Sequence, residues 1–182
     1  MIWNIIEWVE RMSKSKLLKI ISTGDGGVGK TTLLYRYVEG KFLTNTKSTL
    51  GVDFFLKKYH TKNKELELQL WDFGGQKNFR HILKKYASGA HGALLLFDLT
   101  NKSSLEQIDE WVDICREKDP KLPIIFLGTK LDLTNLIIVD DKEAIFFKEK
   151  YGFLDYIKVS SKTDENVNLA FQLLVNEITK DL

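Results

Sequence analysis

The chain has 182 residues, 43% hydrophobic and 29% charged, with 27 Lys and Arg against 25 Asp and Glu for a net charge of +2. That length suits one well-packed domain and is short for two, and so small a charge excess, with no long basic run, argues against a nucleic-acid-binding protein. A single cysteine, Cys115, excludes a disulfide framework and a thiol metal site, suits a reducing compartment and is expected to be a small buried apolar residue.

Residues 1–16 stand apart. On a helix, Ile2, Ile5, Ile6, Val9 and Met12 share one face with Trp8 at its border, while Asn4, Glu7 and Arg11 fall opposite and Trp3 breaks the pattern. Glu7 and Glu10 interrupt the stretch too much for a secretory signal, and no small-residue cleavage site follows. Two readings stay open. The helix contacts a membrane interface through residues 1–12, with Lys14 and Lys16 toward headgroups, or it docks in a groove of its own domain or of a partner.

Residues 17–22 form a short apolar run suited to a buried strand, and residues 32–38 carry apolar side chains at helical spacing. Between them lies Gly24-Asp25-Gly26-Gly27-Val28-Gly29-Lys30-Thr31, a G-x-x-x-x-G-K-T string. Its glycines let the backbone turn tightly and aim N–H groups inward, making a concave anion site at a helix N-terminus. Lys30 supplies a cation for β- and γ-phosphates, and the Thr31 hydroxyl is a hard oxygen ligand for Mg²⁺.

Residues 51–61 and 66–71 alternate as two strands of a hairpin joined by the charged turn at 62–64. Residues 93–97 and 124–127 are unbroken apolar runs, as strands buried on both faces should be. Between them Ser103, with Glu106 three residues on, predicts a capped helix start. A helix over about 140–151, a short strand at 156–159 and a last helix over 164–179 complete the order. Strand and helix alternate throughout, which predicts an α/β sandwich with a mostly parallel six-stranded sheet, one antiparallel edge hairpin strand and helices on both faces. The domain division is 1–16, an appended helix, and 17–182, one domain. His60, His81 and His91 lack ligand-like spacing and are expected to be structural or surface residues, and no apolar run is long enough for a membrane span.

In such a sheet the ligand sits beyond the carboxyl ends of the strands, and the informative residues follow strands. Asp72 can hold Mg²⁺, Gly75 can offer an unobstructed N–H to a γ-phosphate, and Gln76 can orient an attacking water. In Thr129-Lys130-Leu131-Asp132, the Asp132 carboxylate can accept both the N1–H and the exocyclic amine of guanine, a donor pair that adenine lacks, while the Lys130 stem packs over the base. Backbone N–H groups of Ser160-Ser161-Lys162 can read a base carbonyl.

These pieces, in this order, resemble the small GTPases of the Ras superfamily over residues 17–182. The resemblance implies a P-loop NTPase fold and GTP + water → GDP + phosphate, coupled to ordering and release of two switch loops. It aligns Thr49 with the switch I threonine that binds Mg²⁺ and γ-phosphate, Phe42 with an aromatic at the guanine edge, and Gly26 with a permissive glycine of the phosphate loop. The nucleotide-binding set is thus Gly24, Gly26, Gly27, Val28, Gly29, Lys30, Thr31, Thr32, Phe42, Thr49, Gly75, Thr129, Lys130, Asp132, Ser160, Ser161 and Lys162. The catalytic set is Gln76, Lys30, Thr49 and Gly75, and the metal set Thr31, Thr49 and Asp72. Cofactors implied are GTP or GDP and Mg²⁺; partners implied are an exchange factor, an activating protein and effectors, acting on a monomer.

Residues 48–54 are Rab-like, whereas Trp71-Asp72-Phe73-Gly74-Gly75-Gln76 is closer to the Arf and Gα form, W-D-x-G-G-Q, than to the Rab form with alanine before the glycine. Thr129 replaces the usual asparagine, as in Rho-like members, and Lys77 replaces the usual acidic residue. The C-terminal residues hold no cysteine for prenylation, and Ile2 occupies the place of a myristoylated glycine, so the expectation is a cytoplasmic protein whose only membrane contact is the N-terminal helix, as in the Sar branch. No arginine lies shortly before Thr49, as one does in Gα, so intrinsic hydrolysis is expected to be slow and to depend on an activating protein. Two other readings compete. A GTP-bound scaffold without useful hydrolysis would be expected to lose Gln76, Thr49 or Gly26. An ATP-using P-loop enzyme would lack the Lys130/Asp132 base motif.

Overall fold

The computed structural model describes residues 16–45, 47–61 and 65–180. The N-terminal helix expected over 1–16 lies outside these residues, save Lys16, which opens the first strand; the turn at 62–64 lies outside them too. The strands are β1 (Lys16–Gly24), β2 (Val52–His60), β3 (Glu65–Phe73), β4 (Gly92–Asp98), β5 (Ile124–Thr129) and β6 (Asp155–Lys158). The helices are α1 (Lys30–Glu39), α2 (Arg80–Ala87), α3 (Lys102–Glu106), α4 (Ile108–Cys115), α5 (Asp141–Tyr151) and α6 (Val167–Thr179). The sheet runs β2-β3-β1-β4-β5-β6, with β2 antiparallel to β3 and every other pairing parallel. This is the expected α/β sandwich with one antiparallel edge strand.

Alternation of side chains along the strands divides the core in two. Leu18 and Ile20 of β1 and Leu94 and Leu96 of β4 pack with Leu33 and Leu34 of α1 and Phe171 and Leu174 of α6. Ile21, Leu95 and Phe97 face the other way, onto Leu83 of α2, Trp111 of α4 and Ala144 of α5. Both faces are therefore covered, and β4 and β5 are buried at every position. The edge strand β2 keeps Asp53, Phe54, Leu56, Lys58 and His60 exposed. Cys115 is buried, with its sulfur 3.3 Å from the Thr23 hydroxyl, and burial pushes its thiol up to about 11. No helix among the described residues is long and apolar enough to cross a membrane.

Two local expectations are corrected. Ser103 does not cap the helix it was expected to open: Asn101 is the N-cap, and its side chain accepts from the Ser103 N–H at 3.2 Å and the Ser103 hydroxyl at 2.8 Å. Asparagine caps at least as well as serine, so the helix starts ahead of Ser103. The last helix begins at Val167 and not at Asp164, because Asp164 (φ 68) and Asn166 (φ 59) adopt left-handed backbone, and the Asn166 amide donates to the Lys158 carbonyl at 2.9 Å. Short polar side chains tolerate that conformation best.

Candidate functional site

The parallel strands end along one edge, and the candidate residues gather there. Gly24 closes β1 at φ 132, where a Cβ would lie 2.3 Å from the Leu96 carbonyl oxygen, so only glycine fits. The chain then loops to Gly29, at φ 96, and enters α1 at Lys30. The first-turn N–H groups of a helix have no acceptor inside the helix, and they face the loop with the positive end of the helix dipole. Lys30, buried, donates from Nζ to the carbonyls of Gly24 at 2.8 Å and Asp25 at 2.7 Å. Burial lowers its ammonium to about 8, against the pull of Asp72 and Asp25.

Beside this cradle three side-chain oxygens converge. The Thr31 hydroxyl donates to Asp72 Oδ2 at 2.5 Å and lies 3.0 Å from the Thr49 hydroxyl, which itself donates to the same carboxylate oxygen at 3.1 Å. Asp72 is fully buried, and its Oδ1 has no hydrogen-bond partner among the described residues. Burial raises its carboxyl, opposed by the Thr31 hydrogen bond and the Lys30 charge. Two hydroxyls and a carboxylate with a spare buried oxygen are the hard donor set that suits Mg²⁺. Just beyond, the Gly74 N–H donates to the Gly51 carbonyl at 2.8 Å, tying the segment after β3 to the loop that carries Thr49.

At the other end, Thr129 ends β5 with its hydroxyl oxygen 2.7 Å from the Val28 carbonyl and 2.9 Å from that of Phe97. Lys130 turns at φ 62, and its ammonium pairs with Asp98 Oδ2 at 2.5 Å. Asp132 Oδ1 accepts from the Ser160 hydroxyl at 2.7 Å, and its other oxygen lies 4.0 Å from the Lys162 ammonium. The loop of Ser161 and Lys162 is held from α1. Arg36 donates to the Ser161 carbonyl at 2.6 Å, the Lys162 carbonyl at 3.0 Å and the Gly40 carbonyl at 2.7 Å.

All this borders one cleft of about 610 Å³. Of the candidate residues, Gly26, Gly27, Val28, Gly29, Lys30, Thr31, Thr32, Phe42, Thr49, Gly75, Gln76, Thr129, Lys130, Asp132, Ser161 and Lys162 line it. Gly24, Asp72 and Ser160 stand behind that lining, where they hold Lys30, Thr31 and Asp132. Sequence reasoning missed Leu43, Thr44, Lys47, Ser48 and Leu133, which also line the cleft; their signal was adjacency to Phe42, Thr49 and Asp132. It missed Arg36 and Asp98 as well, which act across long sequence separations that no local pattern reports.

The sequence profile of the Ras family matches residues 19–180. The chain is 39% identical over 163 residues to the Ras-related protein Rab-11A of Dictyostelium discoideum, an alignment covering 89% of this chain and 76% of that protein. The GTP-binding protein ypt3 of Schizosaccharomyces pombe is 37% identical and the Ras-related protein Rab-19 of Xenopus laevis 34%, with the same coverage.

Proposed function

This chain belongs to the Ras family of small GTPases, and from that premise we propose that it is a switch for membrane trafficking, with slow intrinsic hydrolysis that an activating protein accelerates. Residues 17–182 form its nucleotide-binding domain in this reading, and residues 1–16 an extension. The observation that carries it is one cleft with an anion cradle at Gly26–Lys30 and a guanine-type acceptor, Asp132, at its far end. The nucleotide spans the two, with Phe42 at the guanine edge, Thr129, Lys130 and Asp132 holding the base, and Ser161 and Lys162 presenting backbone N–H groups to it.

Thr31, Thr49 and Asp72 would hold Mg²⁺, which supplies charge neutralisation of the β- and γ-phosphates when bound. Lys30 adds the protein's own cation to that end. The Gly75 N–H meets the γ-phosphate, and Gln76 orients the attacking water. The Gly-Gly pair of the Arf-like string suits this arrangement, because a Cβ on Gly74 would sit 2.6 Å from the Thr49 carbonyl oxygen. An arginine at the phosphates is worth roughly 10³–10⁵ in rate, and residues 43–48, just before Thr49, offer only Lys47. That is the ground for slow turnover.

For effectors and regulators, Phe54, Trp71 and Tyr86 offer rings in file on the surface beside the two switch segments, with centroids 6.3 and 6.1 Å apart. Phe54 is 61% exposed and Tyr86 43%, an apolar surface that a partner can cover. The N-terminal segment is proposed as a peripheral membrane contact. Liposome co-sedimentation with and without residues 1–14, in both nucleotide states, tests that, and equal binding by the two forms would remove it.

The whole reading is tested by competing GDP, GTP, ADP and ATP for the protein with Mg²⁺, then following phosphate release from GTP in single turnover. Guanine-selective, Mg²⁺-dependent binding with slow release is the expected result. Tight binding without release would favour the GTP-bound scaffold, and equal affinity for adenine nucleotides would refute the assignment of Asp132.

A further inference from the structure

The segment that carries Gly75 and Gln76 is followed within one helical turn by a buried arginine. Arg80, first residue of α2, is only 4% exposed. Its Nη2 pairs with Asp25 Oδ1 of the phosphate loop at 3.0 Å, and its Nη1 pairs with Glu110 Oε2, in the first turn of α4, and lies 3.4 Å from Oε1 of Gln107, the residue just before that helix. The guanidinium lies over the Trp111 ring, 4.6 Å from its centroid, and the Lys30 ammonium lies 6.0 Å from the same centroid. Asp25 is thus engaged twice, its carbonyl by Lys30 and its carboxylate by Arg80. The same Asp25–Gly26 peptide is what Gly75 abuts.

A buried guanidinium is stable only while paired, since loss of one partner leaves an uncompensated charge. The segment from Gly75 to Arg80 is docked, with Arg80 shared between Asp25 and Glu110, and lifting it off the phosphate loop would require Arg80 to give up both pairs. The geometry points to Arg80 as a positioning residue that clamps Gly75 and Gln76 onto the phosphate loop through Asp25 and onto α4 through Glu110. This rests on the reading of Gln76 given above. Arg80 touches no reacting atom in it; it acts through the segment it anchors. Glu110 is half exposed, so a partner bound to α4 has access to the clamp.

The test uses the full chain with Glu110→Ala, Arg80→Lys and Gln76→Leu. For each, single-turnover GTP hydrolysis, GDP affinity and Trp111 emission are measured, the emission being assigned by its loss in Trp111→Phe. Glu110→Ala sits at a half-exposed position and keeps the test valid if Arg80→Lys fails to fold. Hydrolysis is expected to fall about tenfold in Glu110→Ala and Arg80→Lys, with GDP affinity unchanged. The difference in Trp111 emission between GDP and a non-hydrolysable GTP analogue is expected to shrink in both. Parental hydrolysis in Glu110→Ala, or an equal loss of GDP affinity and hydrolysis, overturns the clamp, because a merely structural role gives the latter. Undiminished hydrolysis in Gln76→Leu would instead overturn the role of Gln76. The Trp111 emission difference then decides for Arg80, and its retention at parental size in Glu110→Ala refutes the clamp.

Discussion

Gly75 approaches the phosphate loop so closely that a Cβ on it would lie 2.4 Å from the Gly26 nitrogen and 2.5 Å from the Asp25 carbonyl carbon. Backbone atoms on a loop pinned by Lys30 cannot give way as a flexible side chain would. Gly75→Ala should therefore hold the segment after β3 away from the phosphates while leaving the base end of the cleft intact. GDP affinity is expected to be retained, and single-turnover phosphate release to fall by at least about tenfold, the scale on which misplacement of a reacting group by an ångström costs rate. Parental release by this variant would show that the segment swings clear during turnover.

Arg36 presents the converse case, a side chain with no motif whose position decides the shape of the base end. Its guanidinium spans the Ser161, Lys162 and Gly40 carbonyls, joining the end of α1 to the loop after β6. Charge-assisted hydrogen bonds of this kind are worth about 1–2 kcal/mol together at a partly exposed site. Arg36→Ala should loosen the loop beside Asp132 and speed GDP dissociation by about tenfold, since 1.4 kcal/mol is a factor of ten. Displacement of a fluorescent GDP by excess unlabelled nucleotide measures this directly. An unchanged off-rate would mean that the loop's other bonds, from the Ser160 hydroxyl to Asp132, from the Thr163 N–H to the Ser160 hydroxyl and from the Ser160 N–H to the Glu165 carbonyl, hold it without Arg36.

These two residues mark what was legible in the sequence. The glycines and Lys30 announce themselves because the anion cradle is local, built from consecutive backbone N–H groups whose spacing is written in the chain. The buried strands β4 and β5 were legible for the same reason, as unbroken apolar runs. Asp132 was readable because it follows a strand end. Arg36 and Arg80 were not, since each draws its meaning from partners dozens of residues away: Ser161 for the first, Asp25 and Glu110 for the second. The helix starts at Asn101 and Val167 were missed because several polar residues in each turn compete for the cap, and which one wins depends on tertiary contacts such as that of Asn166 with Lys158.

His91 makes folding stability depend on pH in a defined direction. Its Nδ1 accepts the Lys19 backbone N–H at 3.0 Å, which requires a lone pair there, and the His91 backbone N–H donates to the Lys19 carbonyl at 2.8 Å. Partial burial first, and then the Lys16 charge, draw the imidazole below its ordinary value. A histidine whose folded pKa is depressed binds protons more readily in the unfolded chain, so its stabilisation is complete above about pH 6.5 and declines as pH falls below that toward the folded value. Melting temperatures taken from pH 7.5 to 5.5 should fall, and His91→Asn, whose side-chain oxygen can stand where Nδ1 does but which does not titrate, should flatten that slope. A slope identical in the variant would assign the effect to other groups.

Thr129 faces two acceptors with a single hydrogen. Its hydroxyl oxygen lies 2.7 Å from the Val28 carbonyl and 2.9 Å from the Phe97 carbonyl, so it can donate to only one at a time. Being buried, it ties β5 to the phosphate loop where solvent cannot substitute. Thr129→Val keeps the shape and removes the donor, so a buried acceptor is left unpaired at a cost of about 1–3 kcal/mol. The variant should unfold at lower urea concentration and release GDP faster, because the Val28 carbonyl belongs to the cradle itself. Thr129→Asn brings two amide hydrogens to the same place, one for each carbonyl, and should hold GDP at least as tightly as the parent. If both variants matched the parent in urea and in GDP release, the bond from Thr129 to the phosphate loop would carry neither stability nor affinity.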